Sequence, residues 1–461
     1  MARCSVVATA RPTFAVDTGR RLAAAARDVL ADVMTVYGTG EPVMSLDAAA
    51  AVELDPDADL HVLLCATFAD ASMAVRMLGE ATAPVLLWAF REPGQVGERL
   101  WLNSLCGANL AAHALVERGV RVHLLYGNPD EPAVRDRLVR VVATGIIAPD
   151  APASPVADGA DDDAVRDALA GLRGTRIGLV GDAPDGFTPC AADPAALDKL
   201  LGIELVDLDL ADVLAAAGEV PDAIARAELA DVARRSPSVF GVDAEQAKHA
   251  FATTAALRTL SRSTRTGALA VRCWPEFPVE YGACPCSALG RLHDEGTPAA
   301  CERDVNGAAT MLLVGALGAE ASYLMDLVDL DSAANVVRFW HCGSAPPSLA
   351  ADPADVEQGR HCNRDLGVAG NFALRPGRVT ITRLSRTGEH YRLLLTGGEA
   401  LPAPNRYQGN TAEVRLEAPA ERFVHDLVGL GFEHHTVLAW SDLRPGLRGT
   451  ARLMGIPVYE W

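Results

Sequence analysis

The stretch from residue 61 to residue 90, HVLLCATFADASMAVRMLGEATAPVLLWAF, carries the clearest indication of the fold class. Two runs in it, His61–Thr67 and Pro84–Phe90, are apolar at nearly every position, which is typical of strands that are buried on both faces. Between them, Ala71–Glu80 has the spacing of an amphipathic helix. A strand, a helix and a second strand in this order predict a parallel βαβ unit.

The same rhythm extends over the first 150 residues or so. Ser5–Thr9 and Arg121–Tyr126 read as further strands, and Ser104–Gly119 reads as a helix. The segment Pro149–Asp163 consists mainly of Pro, Ala, Gly and Asp, a composition that cannot bury a core. We therefore expect a linker or an exposed crossover there.

A second α/β unit follows the linker, and a β-rich region ends the chain. The second unit is predicted from strands at Arg176–Gly181, Ile203–Asp209 and Ala268–Trp274 and a helix at Pro194–Leu201. Beyond it, short β-rich runs between Pro/Gly turns predict an antiparallel sheet or small barrel: Val336–His341, Arg378–Leu384, His390–Thr396 and Ala412–Leu416. The predicted fold class is α/β, with two Rossmann-like parallel-sheet domains (1–165 and 166–318) followed by a mostly antiparallel β C-terminal domain (319–461).

Composition and charge exclude several classes of protein. A chain of 461 residues has room for two to four domains, and 49% hydrophobic residues exclude general disorder. Lys and Arg number 41 against 60 Asp and Glu, and the net charge of −19 opposes binding to nucleic acid or to an anionic membrane. No apolar run has the length of a signal peptide core or a membrane span, so we expect a cytoplasmic protein whose ten cysteines are free thiols.

Two motifs allow more than one interpretation. The run Gly178–Gly186 lacks both the G-x-G-x-x-G spacing and a following Lys-Ser/Thr, which favours an ordinary strand-to-helix turn over a nucleotide site. The pair Cys284 and Cys286 encloses a proline and lacks the paired spacing of zinc ribbons and fingers. Buried thiols are favoured there over a structural zinc, and the role of the pair stays open.

Acids and histidines in the last third of the chain lie beside small or apolar residues. Glu302 precedes the apolar run Gly307–Leu317, Asp326 lies between apolar residues, His341 ends a predicted strand and His435 follows another apolar run. An unpaired charge in such surroundings is costly. Each residue alone has an ordinary structural explanation, but two carboxylates and two imidazoles together suit an open site for a divalent cation, with Mn²⁺ favoured over Ca²⁺.

The stretch Cys273–Ala345 resembles the L-fucose isomerase family and its relative L-arabinose isomerase. In that family an acidic residue ahead of an apolar helix and another on the next strand bind Mn²⁺ and shuttle the proton. Glu302 matches the first of these and Asp326 the second, and Asp at the second place is similar to the fucose branch. The turn Gly343-Ser-Ala is also similar to that branch.

Two further matches are to the arabinose branch. His341 resembles a metal-binding histidine of that branch, and His434-His435-Thr436-Val437 is similar to its C-terminal His-His-Thr-Val, whose second histidine is the ligand. The sequence therefore combines features of both branches. It is also shorter than either isomerase, mainly in its C-terminal part, and it carries the unusual Cys284-Pro-Cys286 segment.

The resemblance implies a metal-dependent aldose–ketose isomerase that acts on a small sugar or deoxy sugar through an enediolate. It assigns proton transfer to Glu302 and Asp326, and it assigns Mn²⁺, or another cation such as Co²⁺ or Mg²⁺, to Glu302, Asp326, His341 and His435. A metal-dependent epimerase or lyase on the same scaffold and a non-catalytic sugar-binding protein are the alternatives.

The resemblance also implies that the N-terminal domain contributes substrate contacts. Candidates are Trp88 and Glu92 after a strand and Asn109 near a helix start, together with His434. A purely structural position of Trp88 in the core is an equal alternative. A whole domain and a linker separate the first sheet from the metal cluster in sequence, so one chain can join them only if its domains fold back on each other. The resemblance favours a homo-oligomer instead, a trimer or hexamer, in which a neighbour's first domain completes each site.

Overall fold

The structure is a computed structural model, and it describes residues 2–145, 153–154, 162–236, 238–239 and 241–461. The linker predicted over Pro149–Asp163 lies for the most part outside these residues. The described residues form three β-sheets with helices packed against them. None of their helices combines the length and the apolarity that crossing a membrane requires.

The first sheet has six strands, all paired in parallel, in the order β2-β1-β4-β5-β6 with β3 beside β1. Its strands β4 and β5 are buried at every position, which is why their sequences are apolar without alternation. The elements are β1 (Arg3–Thr9), α1 (Val16–Ala31), β2 (Thr35–Tyr37), β3 (Pro42–Val43), α2 (Leu46–Ala50), β4 (Leu60–Cys65), α3 (Ala71–Leu78), β5 (Val85–Ala89), α4 (Ser104–Val116), β6 (Val122–Tyr126) and α5 (Pro132–Thr144).

The second sheet has four parallel strands in the order β12-β11-β8-β9. Short strands β7 and β10 of the same region pair with the third sheet instead. The elements are β7 (Ala153–Ser154), α6 (Asp162–Leu172), β8 (Arg176–Val180), α7 (Pro194–Leu201), β9 (Glu204–Leu208), α8 (Leu210–Gly218), α9 (Asp222–Arg235), β10 (Ser238–Val239), α10 (Ala244–Thr264), β11 (Ala268–Val271), α11 (Cys286–Asp294), β12 (Ala299–Ala300) and α12 (Val305–Ala316).

The third sheet contains a closed barrel of six antiparallel strands, in the cyclic order β13-β14-β19-β18-β17-β20. Closure removes the exposed edges of these strands. The elements are β13 (Ser322–Asp331), β14 (Val336–His341), β15 (Glu357–Arg360), β16 (Gly367–Ala373), β17 (Gly377–Thr387), β18 (His390–Ala400), β19 (Asn410–Leu416), α13 (Ala420–Gly429), β20 (His435–Ala439), α14 (Arg444–Met454) and β21 (Val458–Glu460).

The predicted fold class is confirmed: two parallel sheets precede a largely antiparallel one. One continuous core joins the first sheet to the barrel, since Leu63 and Leu87 belong to the same buried cluster as Met325 and Phe339. Helix α4 lies at this junction and is buried along nearly its whole length. The first domain therefore folds back onto the C-terminal barrel within one chain.

Candidate active site

A pocket lies where the three sheets meet. Arg11 follows β1, Phe68 follows β4, Trp274 follows β11 and Glu302 follows β12, and all four line the pocket. In each case the residue lies beyond the carboxyl end of a parallel strand, which is where open α/β sheets bind ligands. The barrel closes the opposite side with Asp326 and other residues.

Barrel register brings three of the predicted ligands together. Asp326 on β13 lies directly opposite His435 on β20 and opposite Trp340 on β14, and His341 is the next residue after Trp340. Directly opposite residues on neighbouring strands have adjacent side chains. Asp326 Oδ1 is 3.4 Å from His435 Nε2, and the imidazole centroids of His341 and His435 are 5.3 Å apart.

Glu302 reaches the same place from a strained turn. It lies in the 3₁₀ turn Cys301–Arg303 with φ 57° and ψ 21°, and Arg303 also has a positive φ of 58°. Residues other than glycine adopt this left-handed backbone conformation only at an energetic cost, so contacts with the surrounding structure must stabilise it. The Arg303 side chain does so in part by donating to the Gly181 carbonyl at 2.7 Å. Glu302 Oε2 then lies 3.3 Å from His434 Nε2 and 3.5 Å from His435 Nε2.

The charges of this cluster suit a cation. Burial alone would raise the pKa of Glu302, but His434, His435 and His341 outweigh burial and lower that pKa to about 2. Burial lowers the pKa of His435, yet Asp304, Asp326 and Glu302 outweigh burial and raise it. Glu302 is therefore a carboxylate throughout the neutral range.

Asp304 fixes the orientation of His435. Its buried carboxylate accepts two hydrogen bonds from Arg383, at 2.6 and 2.8 Å, and lies 2.9 Å from His435 Nδ1. It also caps α12 by accepting the Gly307 N–H at 2.8 Å. Because an ionised carboxylate only accepts, the Nδ1 atom of His435 carries a proton, and in the neutral imidazole the Nε2 lone pair then points into the cluster. Neither Asp304 nor Arg383 was given a role from the sequence alone.

The positions of the possible ligand atoms suit a divalent cation. The buried atoms Asp326 Oδ1, His341 Nε2 and His435 Nε2 have no hydrogen-bond partner among the described residues. Asp326, His341 and His435 form one group whose ligand atoms all lie within 4.8 Å of one another, and Glu302, His434 and His435 form a second. Such a mixture of oxygen and imidazole ligands suits a first-row divalent metal.

His341 is less prepared for ligation than His435. Its Nδ1 accepts the backbone N–H of Cys342 at 2.9 Å. A neutral imidazole that accepts at Nδ1 carries its proton on Nε2, so ligation through Nε2 requires this hydrogen bond to change.

The predicted substrate residues of the first domain lie elsewhere or act indirectly. Trp88 is fully buried in the first domain, and its N–H donates to the Gly127 carbonyl at 2.9 Å, so no face of its ring is open to a sugar in this chain. Glu92 accepts the backbone N–H groups of residues 101–103 and thereby positions Asn103, which does line the pocket. Asn109 is buried and donates to the Glu433 carbonyl at 3.3 Å, next to His434.

Cysteines form the wall behind His341. All ten are free, as predicted. Cys284 and Cys286 line the pocket, and Cys286 Sγ lies 3.9 Å from Cys342 Sγ. Cys286, Cys342 and His361 are themselves close enough to share an ion, although their sequence spacing is not that of a zinc motif.

Comparison with curated proteins shows that the protein is an aldose–ketose isomerase, an intramolecular oxidoreductase, a class with which the α/β fold and the pocket agree. No family model matches the chain. The chain belongs to the sulfoquinovose isomerase family: it is 34% identical over 456 residues to the sulfoquinovose isomerase of Alkalicoccus urumqiensis, covering 98% of this chain and 97% of that protein.

Two other relatives carry the same name. The sulfoquinovose isomerase of Priestia aryabhattai is 34% identical over 394 residues, which are 85% of this chain and 82% of the relative. That of Clostridium sp. (strain MSTE9) is 30% identical over 403 residues, which are 86% and 85% of the two chains. The prediction of a sugar isomerase is thereby confirmed.

Proposed function

We propose that the protein interconverts sulfoquinovose, an aldose with a sulfonate on C6, and its 2-ketose through an enediolate, as a metal-dependent enzyme of the L-fucose isomerase type. The observation that carries the proposal is the buried cluster of Glu302, Asp326, His341 and His435, which lies in a pocket at the ends of both parallel sheets. The names of the relatives supply the sugar.

Glu302, Asp326, His341 and His435 would hold the cation, with Mn²⁺ as our choice. When bound, a divalent cation lowers the cost of negative charge on the sugar oxygens. Asp304 keeps His435 turned toward the cluster, and Arg383 keeps Asp304 ionised.

The two carboxylates would move the proton between C1 and C2, one taking it and the other returning it. Glu302 also accepts from Trp274 Nε1 at 3.4 Å, which fixes one of its oxygens away from the histidines. Neutral polar groups around the pocket suit sugar hydroxyls. Asn103 and Asn363 each line it and each have an amide oxygen that is buried and without a hydrogen-bond partner among the described residues.

The test is isomerisation of sulfoquinovose in D₂O. Protein resupplied with Mn²⁺ should form the ketose and place deuterium at C1 or C2, and chelation should abolish turnover. Glu302→Gln should lower turnover by about 10²–10⁴-fold, because general acid–base catalysis contributes that much. The matched control is Glu280→Gln, the same change at an exposed position, which should leave turnover unchanged.

Product analysis separates the alternatives. An epimerised aldose or a cleaved sugar would replace the isomerase by an epimerase or a lyase. Full turnover after rigorous chelation, with no metal detected in the protein, would refute the proposed metal dependence.

A further inference from the structure

Two arginines in the pocket form no ion pair with an acidic residue that the structure describes. Arg11 and Arg364 both line it, one from the first domain and one from the loop that follows β15. The chain has 60 acidic and 41 basic residues, so carboxylates are in excess. Within the part of the chain that the structure describes, however, no ion pair within 4.0 Å involves either guanidinium.

Both guanidiniums lie over the same indole. Arg11 Cζ is 4.5 Å from the ring centroid of Trp274, and Arg364 Cζ is 5.3 Å from it. The ring attracts each cation, but two like charges held against one aromatic group repel each other in the absence of an anion. Arg11 is partly buried, and burial lowers its pKa; the charge of Arg364 lowers it further, while the more distant carboxylates of Asp70 and Glu302 offset part of this lowering.

Trp274 lies between the two arginines and the proposed catalytic cluster, because it contacts both. Trp274 Nε1 contacts Glu302, and the two arginines contact the ring of the same side chain. A sugar whose C1 and C2 lie at Glu302 would therefore extend its far end toward the arginines. In an open-chain hexose bound in this way, that far end is C6.

We propose that Arg11 and Arg364, held against Trp274, form an anion clamp that binds the sulfonate on C6 of the substrate and selects sulfonated over unsulfonated sugars. This inference rests on the proposed function. Guanidinium groups suit it because they remain charged, are weakly hydrated and present planar pairs of N–H donors to oxyanions. The bound anion also relieves the repulsion between the two cations.

The experiment compares Arg11→Gln and Arg364→Gln with the wild type on sulfoquinovose and on 6-deoxyglucose, its analogue without the sulfonate. Each variant should lose about 10- to 100-fold in kcat/KM for sulfoquinovose, the value of a hydrogen bond to a charged group. The rate on 6-deoxyglucose should change by less than about threefold. Arg364→Lys should recover part of the loss. Arg272→Gln is the control, since that nearby arginine is paired with Glu276 at 2.8 Å and should not affect selectivity.

A binding readout separates this inference from the proposed function. Calorimetric titration of the metal-free protein with sulfoquinovose should detect binding that Arg11→Gln and Arg364→Gln weaken, and circular dichroism should show that both variants are folded. Sulfoquinovose turnover with unchanged selectivity in both variants would overturn the clamp and leave the proposed function standing. Arginine-dependent binding of sulfoquinovose without isomerisation would support the clamp and overturn the proposed function.

Discussion

The substitution Asp304→Asn should lower both the unfolding free energy and the affinity for Mn²⁺. The change keeps the size of the side chain but removes its charge, and it replaces one of two accepting oxygens by an NH₂ group. Four N–H groups face those oxygens: Oδ1 receives Gly307 N–H and one Arg383 N–H, while Oδ2 receives the other Arg383 N–H and faces His435 Nδ1. In either orientation of the new amide, its NH₂ group faces two of these N–H donors and can accept a hydrogen bond from neither.

The larger cost comes from Arg383, whose side chain is fully buried. Removing one partner of a buried ion pair costs about 3–5 kcal/mol. Glu433 Oε2 still lies 3.8 Å from Arg383 Nε and compensates part of this charge. We therefore expect the variant to lose about 3 kcal/mol of unfolding free energy, at the lower end of that range. Loss of the carboxylate behind His435 should weaken Mn²⁺ binding by about 10- to 100-fold.

Urea unfolding in the presence of chelator measures the first quantity, and calorimetric titration with Mn²⁺ measures the second. The matched control is Asp329→Asn, which disturbs another buried Asp–Arg pair with no contact to the cluster. In this variant Arg338 still has an ion pair with Glu413, whose Oε1 lies 3.4 Å from Arg338 Nε. The variant should therefore be destabilised less than Asp304→Asn and should bind Mn²⁺ normally. A loss below about 1 kcal/mol in Asp304→Asn, with Mn²⁺ affinity equal to that of the control, would refute the reasoning.

Three further predictions address packing, pH and the turn beside His341. Trp88→Ala should lose about 3–5 kcal/mol of unfolding free energy in urea while KM stays within about threefold, and a large rise in KM at unchanged stability would restore the role of Trp88 in sugar binding. Burial lowers the pKa of His113 to about 4 from an unfolded value near 6.5, so the unfolded chain binds more protons in this window. Unfolding free energy should fall as the pH drops from about 6.5 to 4, and His113→Gln should flatten that slope. Gly343 has φ +116°, and an added Cβ would lie 2.6 Å from the Gly370 carbonyl oxygen. Gly343→Ala should therefore weaken Mn²⁺ binding in a calorimetric titration, whereas Gly388→Ala, also at positive φ but in open space, should not.

Local patterns in the sequence were sufficient for several of the elements, whereas the candidate site residues were singled out through a family resemblance. Pro194–Leu201 is a helix with the predicted bounds, and Val336–His341 is a strand with the predicted bounds. In the helix, burial follows the helical period, with Leu197 and Leu201 buried, and the strand is buried at all but one position, as its apolar sequence indicates. The long strand Ser322–Asp331 was harder to recognise, because Asp326 and Asp329 interrupt an otherwise apolar run.

Contacts between distant elements could not be predicted in this way. The pairing of Asp304 with Arg383 joins the start of α12 to strand β17, and only the docking of that helix onto the barrel brings them together. An arginine in a strand such as β17 reads as a solvent-facing residue, yet this one is fully buried. Arg11 and Arg364 likewise become neighbours only through Trp274, a residue of a third element.

Residues of the first domain reach the pocket within one chain, which bears on the predicted homo-oligomer. That prediction followed the family resemblance, which favours a site completed by a neighbouring subunit over domains that fold back on each other within one chain. Within this chain, however, Arg11, Phe68 and Asn103 of the first domain already line the pocket. The continuous core between the first sheet and the barrel holds them there. The oligomer stays a prediction, but a neighbour is not needed to bring a first domain to the site. Arg11 and Arg364 line the pocket and remain partly exposed, so a neighbouring chain could still contact the site through them.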